Sequence, residues 1–131
     1  MFEKLEIFRM AHGLATHAGT RQAVVARNVA NADTPGYRAQ DIAAFADTYR
    51  KTGDEMGLRR TREGHMPARD PLPFRTELRA DDVPGEPNGN SVALEEEMLK
   101  AADTKSKHDL ALAVYRSSLS IIRTSLGRSG G

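Results

Sequence analysis

Two long segments with helical apolar spacing, held apart by a middle that can continue neither of them, limit what this chain can fold into. From Leu94 to Leu126 the positions Leu94, Met98, Ala101, Lys105, His108, Leu112, Tyr115, Leu119, Ile122 and Leu126 keep an unbroken four-three alternation, the repeat of a helix seam. Lys105 and His108 interrupt its apolar character and help fix register. At the other end, Ile7, Ala11, Leu14, Ala18, Val25, Val29 and Ala32 fall in steps of three, four or seven over a segment running from Phe2 to about Ala32, with Arg21 and Gln22 interrupting mid-way. Gly13 and Gly19 weaken that helix by roughly 1 kcal/mol each relative to alanine, and they also let a second helix come close. Glu95, Glu96 and Glu97 suit the positive N-terminal end of the second helix, Arg123 and Arg128 its negative C-terminal end, and Gly127 its C-cap.

The first helix has a well-built stop. In Asn28-Val29-Ala30-Asn31-Ala32-Asp33-Thr34-Pro35-Gly36-Tyr37, Pro35 lacks an N–H and disfavours helical geometry at Thr34. Pro35 and Gly36 suit the two central positions of a type II turn. Beyond it, Asp41 to about Lys51 reads as a short helix, with Asp41 as N-cap and Ile42, Phe45 and Tyr49 on one face. Residues 52–89 are rich in Gly, Pro and charge. Within them Phe74, Thr76 and Leu78 alternate with Arg75, Glu77 and Arg79, the pattern of a short exposed strand. The fold expected is mainly α: long N- and C-terminal helices paired as an antiparallel, coiled-coil-like hairpin, with a short helix and an irregular, strand-bearing middle. Residues 1–37, 38–89 and 90–131 form its three parts, together one domain.

Composition points away from a self-sufficient globule. Apolar residues make up 39% of the 131, aromatics 5%, and Trp is absent. Much of the apolar content sits in the two stripes, so a lone chain buries little surface against its ordering entropy. It gains by packing on copies of itself or on partners. The formal net charge of +1 gives no phosphate-binding surplus. Arg59, Arg60, Arg62, Arg69 and Arg75 are diluted by Glu63, Asp70 and Glu77, which makes a solvated loop the better reading and argues against a nucleic-acid partner. With no cysteine there are no disulfides or thiolate sites. No run approaches the ~18 apolar residues of a membrane span, and Met1-Phe2-Glu3-Lys4-Leu5-Glu6 is unlike a cleavable signal peptide.

Chemistry-bearing patterns are missing. His12 and His17 are five apart, and neither they nor His65 and His108 have the spacing of zinc ligands. Ser117, Ser118 and Ser120 have no base nearby in sequence, and no phosphate-binding or nucleophile-elbow motif occurs. No catalytic residue, cofactor or metal is expected. A small hydrolase built on His65 is the weakest reading, and a cytoplasmic coiled-coil adapter or secretion chaperone is the stronger rival.

The ends carry a family resemblance. Arg21-Gln22 through Asn28-Val29-Ala30-Asn31 and Thr34-Pro35-Gly36-Tyr37 resembles the N-terminal signature of flagellar rod and hook axial proteins. Gly89-Asn90-Ser91-Val92-Ala93-Leu94-Glu95-Glu96-Glu97-Met98 is similar to the second signature of that family. The short length and Gly64-His65-Met66 are most like its proximal rod members. Ala93 stands where the family has an acidic helix-start residue, and His108 where it often has an aromatic.

The resemblance implies an α-helical inner tube that transmits torque and forms part of an export channel. It implies export without a cleaved signal, and a place in the basal body, in the rod that crosses the periplasm. Partners implied are copies of the chain, other proximal rod proteins, the adapter joining rod to MS ring, and the export gate. The assembly interface expected comprises Ile7, Leu14, Val25 and Val29 with Leu112, Tyr115, Leu119, Ile122 and Leu126. Asn28, Asn31, Thr34, Pro35, Gly36 and Tyr37 are expected to shape the turn.

Overall fold

The computed structural model describes residues 2–50, 78–80 and 84–127. Helix α1 spans Phe2–Ala30 and helix α3 spans Leu94–Gly127. Between them lie strand β1 (Gln40–Ile42), a short helix α2 of which residues 45–50 are described, and strand β2 (Leu78–Ala80). The strands form a two-stranded antiparallel ribbon in which Asp41 faces Arg79. The expected strand therefore includes Leu78; Phe74 and Thr76 lie outside the described residues. So do Arg128 and whatever follows Gly127, which is itself the last residue of α3.

The two long helices run antiparallel. Phe8 meets Tyr115 edge-on at 5.2 Å near one end, Arg21 reaches Asp103 in the middle, and Asn28 reaches Glu97 at the other end. At 1.5 Å per residue, α1 is about 43 Å long, so the contact is a long seam.

The seam is built from small and polar side chains. On α1 the buried residues include Ala11, Gly13, Ala18, Val24 and Val25; on α3 they are Glu97, Thr104 and Ala111. Ala11, Ala18 and Val25 share the side of α1 that meets α3, where small side chains let the backbones approach, while Gly13 and Val24 share the side of His17, toward α2.

Here the structure departs from the expected stripe. Glu97, Thr104 and Ala111 repeat every seven residues, one position before Met98, Lys105 and Leu112. The face turned to α1 combines that row with the Ala101, His108, Tyr115 and Ile122 row. In the row Met98, Lys105, Leu112, Leu119 and Leu126 all but the half-buried Leu119 are exposed, and so is Leu94 at the head of the other row. Apolar spacing identified a seven-residue repeat, but its bulkiest members are not what α1 covers.

The expected short helix also moves. Asp41 lies in β1, and helix begins at residue 45. The Asp41 carboxylate is occupied by Arg21 and by the N–H of Ile42, so it does not cap a helix. The anchor of α2 is instead His17, which is buried and donates from Nε2 to the carbonyl of Ala43 at 2.7 Å. A carbonyl can only accept, so this nitrogen carries the proton. Phe45 packs on the His17 ring at 5.7 Å and on Tyr49 at 5.6 Å.

Candidate functional site

The turn after α1 closes into a clasp against the residues that lead into α3. The N–H of Tyr37 donates to the carbonyl of Thr34 at 3.2 Å, which puts Pro35 and Gly36 at the two central positions. Gly36 has φ +74°, as the second central position of a type II turn requires. Gly89, also left-handed at φ +81°, approaches so closely that a Cβ on it would lie 3.3 Å from the Cα of Gly36. Backbone bonds from Gly36 to Asn88 and from Ser91 to Tyr37, both 3.0 Å, knit the two loops together.

Two buried asparagines organise this clasp. Asn90, 3% exposed, places its amide nitrogen 2.8–2.9 Å from the carbonyls of Asn31, Ala32 and Thr34. Those carbonyls belong to the turn just beyond α1. Its Oδ1 accepts from the N–H of Val92, so one side chain ties the turn after α1 to the approach to α3. Ala93 offers α3 only its carbonyl, which accepts from Glu97.

Asn28 is completely buried. Its Nδ2 donates to the carbonyl of Gln40 at 2.7 Å and to Glu97 Oε2 at 3.1 Å. Its Oδ1 accepts from the N–H of Gln40 at 3.1 Å and the hydroxyl of Tyr37 at 3.2 Å. The amide thus has all four of its hydrogen bonds. It pairs with the Gln40 backbone as a strand would, while joining the turn to α3.

Charge extends the clasp along the seam. Glu97, 1% exposed, is held by Asn28 and by Lys100 at 3.2 Å. Lys100 lies 3.8 Å from Asp41, and Arg21 grips both oxygens of Asp41 at 3.1 Å. Arg21 also reaches Asp103 at 2.8 Å, and Asp103 is bound by Lys107 at 2.9 Å. Three carboxylates and three cations alternate, so the ladder is neutral.

Burial pushes the Asp41 carboxyl up, but the hydrogen bonds from Arg21 and Ile42 and the charges of Arg21 and Lys100 more than offset this, holding it below the usual carboxylate range. The bond to Asp41 likewise raises Arg21. Asp103 is lowered chiefly by its bond from Lys107.

Family comparison agrees with this placement. The model of the family described as flagella basal body rod protein matches residues 15–38, a span that holds Arg21, Asn28 and the whole turn. The chain is 33% identical to the flagellar basal body rod protein FlgB of Agrobacterium fabrum over 119 residues, 88% of each chain. It belongs to the FlgB family of flagellar basal body rod proteins. It is also 37% identical to FlgB of Salmonella typhimurium over 108 residues, covering 76% of this chain and 77% of that one. For FlgB of Escherichia coli K12 the figures are 35% over 102 residues, 71% of this chain and 72% of that one. The FlgB family is one of structural components of the basal-body rod.

Within that family setting, the expected turn residues come together: Asn28, Asn31 and Tyr37 in the clasp, Thr34, Pro35 and Gly36 exposed at its tip. The expected interface residues do not share one face. Val25 is buried, and Leu14, Leu119 and Ile122 are half-buried. Ile7, Val29, Leu112, Tyr115 and Leu126 are exposed. Tyr115 is pinned by Phe8 all the same. His65 lies outside the described residues.

Sequence reading missed Arg21, Gln40, Asp41, Glu97, Lys100 and Asn90 as members of the site. One signal was available. Ile7, Leu14, Arg21 and Asn28 form a seven-residue row, and two polar residues continuing an apolar row are candidates for a buried polar contact.

Proposed function

We propose that this chain is a proximal rod subunit whose terminal helices self-assemble into a tube that transmits torque and forms part of the export channel. The observation that carries the reading is the surface of α3. Between Leu110 and Tyr115 the helix reads Leu-Ala-Leu-Ala-Val-Tyr, and it exposes large apolar side chains on two faces besides the one against α1. One is the flank Leu94, Met98, Leu112 and Leu126; the other, opposite α1, is Leu99, Leu110, Val114 and Ile121. The stretch 110–115 is apolar all round, which suits it to burial on more than one side, and uncovered apolar side chains clustered this way mark an interaction surface.

On this reading the protein is a structural part, not an enzyme. It is exported without a cleaved signal and sits in the periplasmic rod. Its neighbours are copies of itself, other proximal rod proteins, the adapter between rod and MS ring, and the export gate. Torque passes through many small packing contacts, and the polar clasp sets the angle at which the turn leaves the helical layer. No helix among the described residues is long and apolar enough to cross a membrane.

Leu112→Asp tests the reading. Leu112 is exposed, so the purified chain should keep its helix content while cells carrying the variant lose rods and swimming. Normal motility would contradict the assignment.

A further inference from the structure

Leu99 and Leu110 stand eleven residues apart on α3, 72% and 57% exposed, on a side that α1 leaves uncovered. Eleven residues are close to three turns, so the two side chains project in nearly one direction, about 16 Å apart along the axis. On α1, a side other than the one that sets Ala11, Ala18 and Val25 against α3 carries small residues. Ala23, Ala26, Arg27 and Ala30, all exposed, occupy positions i, i+3, i+4 and i+7. His12, Ala15, Thr16 and Gly19 repeat the same diamond eleven residues earlier, and a Cβ built on Gly19 meets nothing within 4 Å. Four residues so spaced form the hole that takes one large side chain of a facing helix. The chain therefore exposes two knobs on one helix and two holes on the other, at the same spacing.

Charge sets the sense in which they fit. Arg27 walls one hole, and Glu95 and Glu96 precede Leu99 by four and three residues; all three are exposed, and none has an ion pair among the described residues. We infer that Leu99 and Leu110 of one copy seat in the two holes of the next copy, Leu99 between Ala23 and Ala30 and Leu110 between His12 and Gly19, with Arg27 bonded to Glu96. This rests on the self-assembly reading above and adds which surfaces meet. The two helices then run antiparallel. A parallel fit would also seat both leucines, but it would put Arg27 beside Leu110, far from the glutamates, so complementary charge selects the antiparallel one. That sense and register nearly repeat those inside one chain, where Asn28 lies level with Glu97, so the contact continues the hairpin's own packing sideways. Stacking two α3 rows would instead set leucine on leucine and leave the small-residue face of α1 uncovered. Because α1 of one copy meets α3 of the next, the contact is heterologous, and it builds a ring or an open helical row, not a two-fold dimer.

The chain has no cysteine, so disulfide trapping starts from a clean background. Cells co-express two single variants, and basal bodies are isolated and mildly oxidised. Leu99→Cys with Ala26→Cys, and Leu110→Cys with Ala15→Cys, are the matched pairs. Leu99→Cys with Ala15→Cys is the mismatched pair, displaced by about 16 Å along the helix. Circular dichroism of each purified variant checks that helix content is kept. Each matched pair should give a mixed disulfide, several-fold more abundant than that of the mismatched pair.

A mismatched pair that links as well as the matched ones would overturn the inference, as would disulfides joining like to like or joining a variant only to a different protein. So would the absence of any disulfide in rods where an amine-reactive cross-linker still joins copies; in that case self-assembly would stand. If the cross-linker joins no two copies, the self-assembly reading falls and this inference falls with it. Charge exchange gives a second readout. Arg27→Glu in the Ala26→Cys chain should reduce its link to Leu99→Cys, and Glu96→Arg in the Leu99→Cys chain should restore it; a further reduction would count against the contact.

Discussion

Replacing Asn28 with alanine should remove the centre of the clasp. The substitution deletes four hydrogen bonds from a completely buried side chain. The loss is not shared equally among the partners. Tyr37 is only half-buried and its hydroxyl can turn to water, and Glu97 keeps Lys100. The N–H and carbonyl of Gln40, half-buried as well, each lose the amide as a partner. A buried group left unpaired costs about 1–3 kcal/mol, and for these two half-buried groups the low end applies, a combined loss of about 2 kcal/mol. A small domain has only about 5–15 kcal/mol in total, so a loss of this size is a sizeable share of the hairpin's stability.

Urea unfolding of the purified chain, followed by circular dichroism, measures the change directly. The midpoint should fall sharply with the slope unchanged. Asn28→Asp provides a control for chemistry against size. It keeps the shape, removes both donors and sets a carboxylate against Glu97, so it should be at least as damaging at neutral pH and partly relieved in acid. A loss under about 0.5 kcal/mol for Asn28→Ala, the range of ordinary surface changes, would refute the central role of this amide.

Three further outcomes follow from the same geometry. Gly89→Ala should cost more than Gly36→Ala: both force a left-handed alanine, about 1–2 kcal/mol, but only at Gly89 does the added carbon meet backbone, 3.3 Å away. Paired thermal melts check the order. The folded Asp41 carboxyl lies below its ordinary value, so its contribution is present above about pH 4 and is lost as pH falls through the lower folded value; an NMR titration of Asp41 in wild type and in Arg21→Gln should show the depression only with the guanidinium present. Thr104 has a buried hydroxyl without a partner among the described residues, so Thr104→Val should stabilise the hairpin by about 1 kcal/mol, read as a higher melting temperature.

The helix pair was legible because its signals are local and redundant. Seven-residue spacing marks both helices, and Pro35-Gly36 marks the stop whatever surrounds it. Half of the face of α3 that meets α1, the row Ala101, His108, Tyr115 and Ile122, was legible; the more buried row Glu97, Thr104 and Ala111 was not, for a physical reason. Apolar periodicity finds the rows with the largest side chains, but this hairpin closes on Ala11, Ala18, Ala111, Thr104 and Glu97. Leu94, Met98 and Leu112 are left outside, where a neighbouring chain can cover them. A sequence states that such residues need burial without saying which neighbour provides it.

Asp41 failed as a helix cap for a related reason. Short-range capping competes with a two-pronged bond from Arg21, twenty residues away, and the long-range partner wins. Asn28 and Tyr37 were read as shapers of the turn from the resemblance alone. The bonds of Asn28 to Gln40 and Glu97, and that of Tyr37 to Asn28, depend on elements that only the tertiary fold brings together.

The central claim is that the two uncovered faces of α3 are buried by neighbouring subunits. A density map of the basal-body rod at side-chain resolution tests it most directly. The account predicts that Leu110, Val114 and Ile121 on one face, and Met98 and Leu112 on the other, each pack against a different adjacent chain, with the clasp around Asn28 intact inside every copy. A rod in which either face lies open to solvent would contradict it.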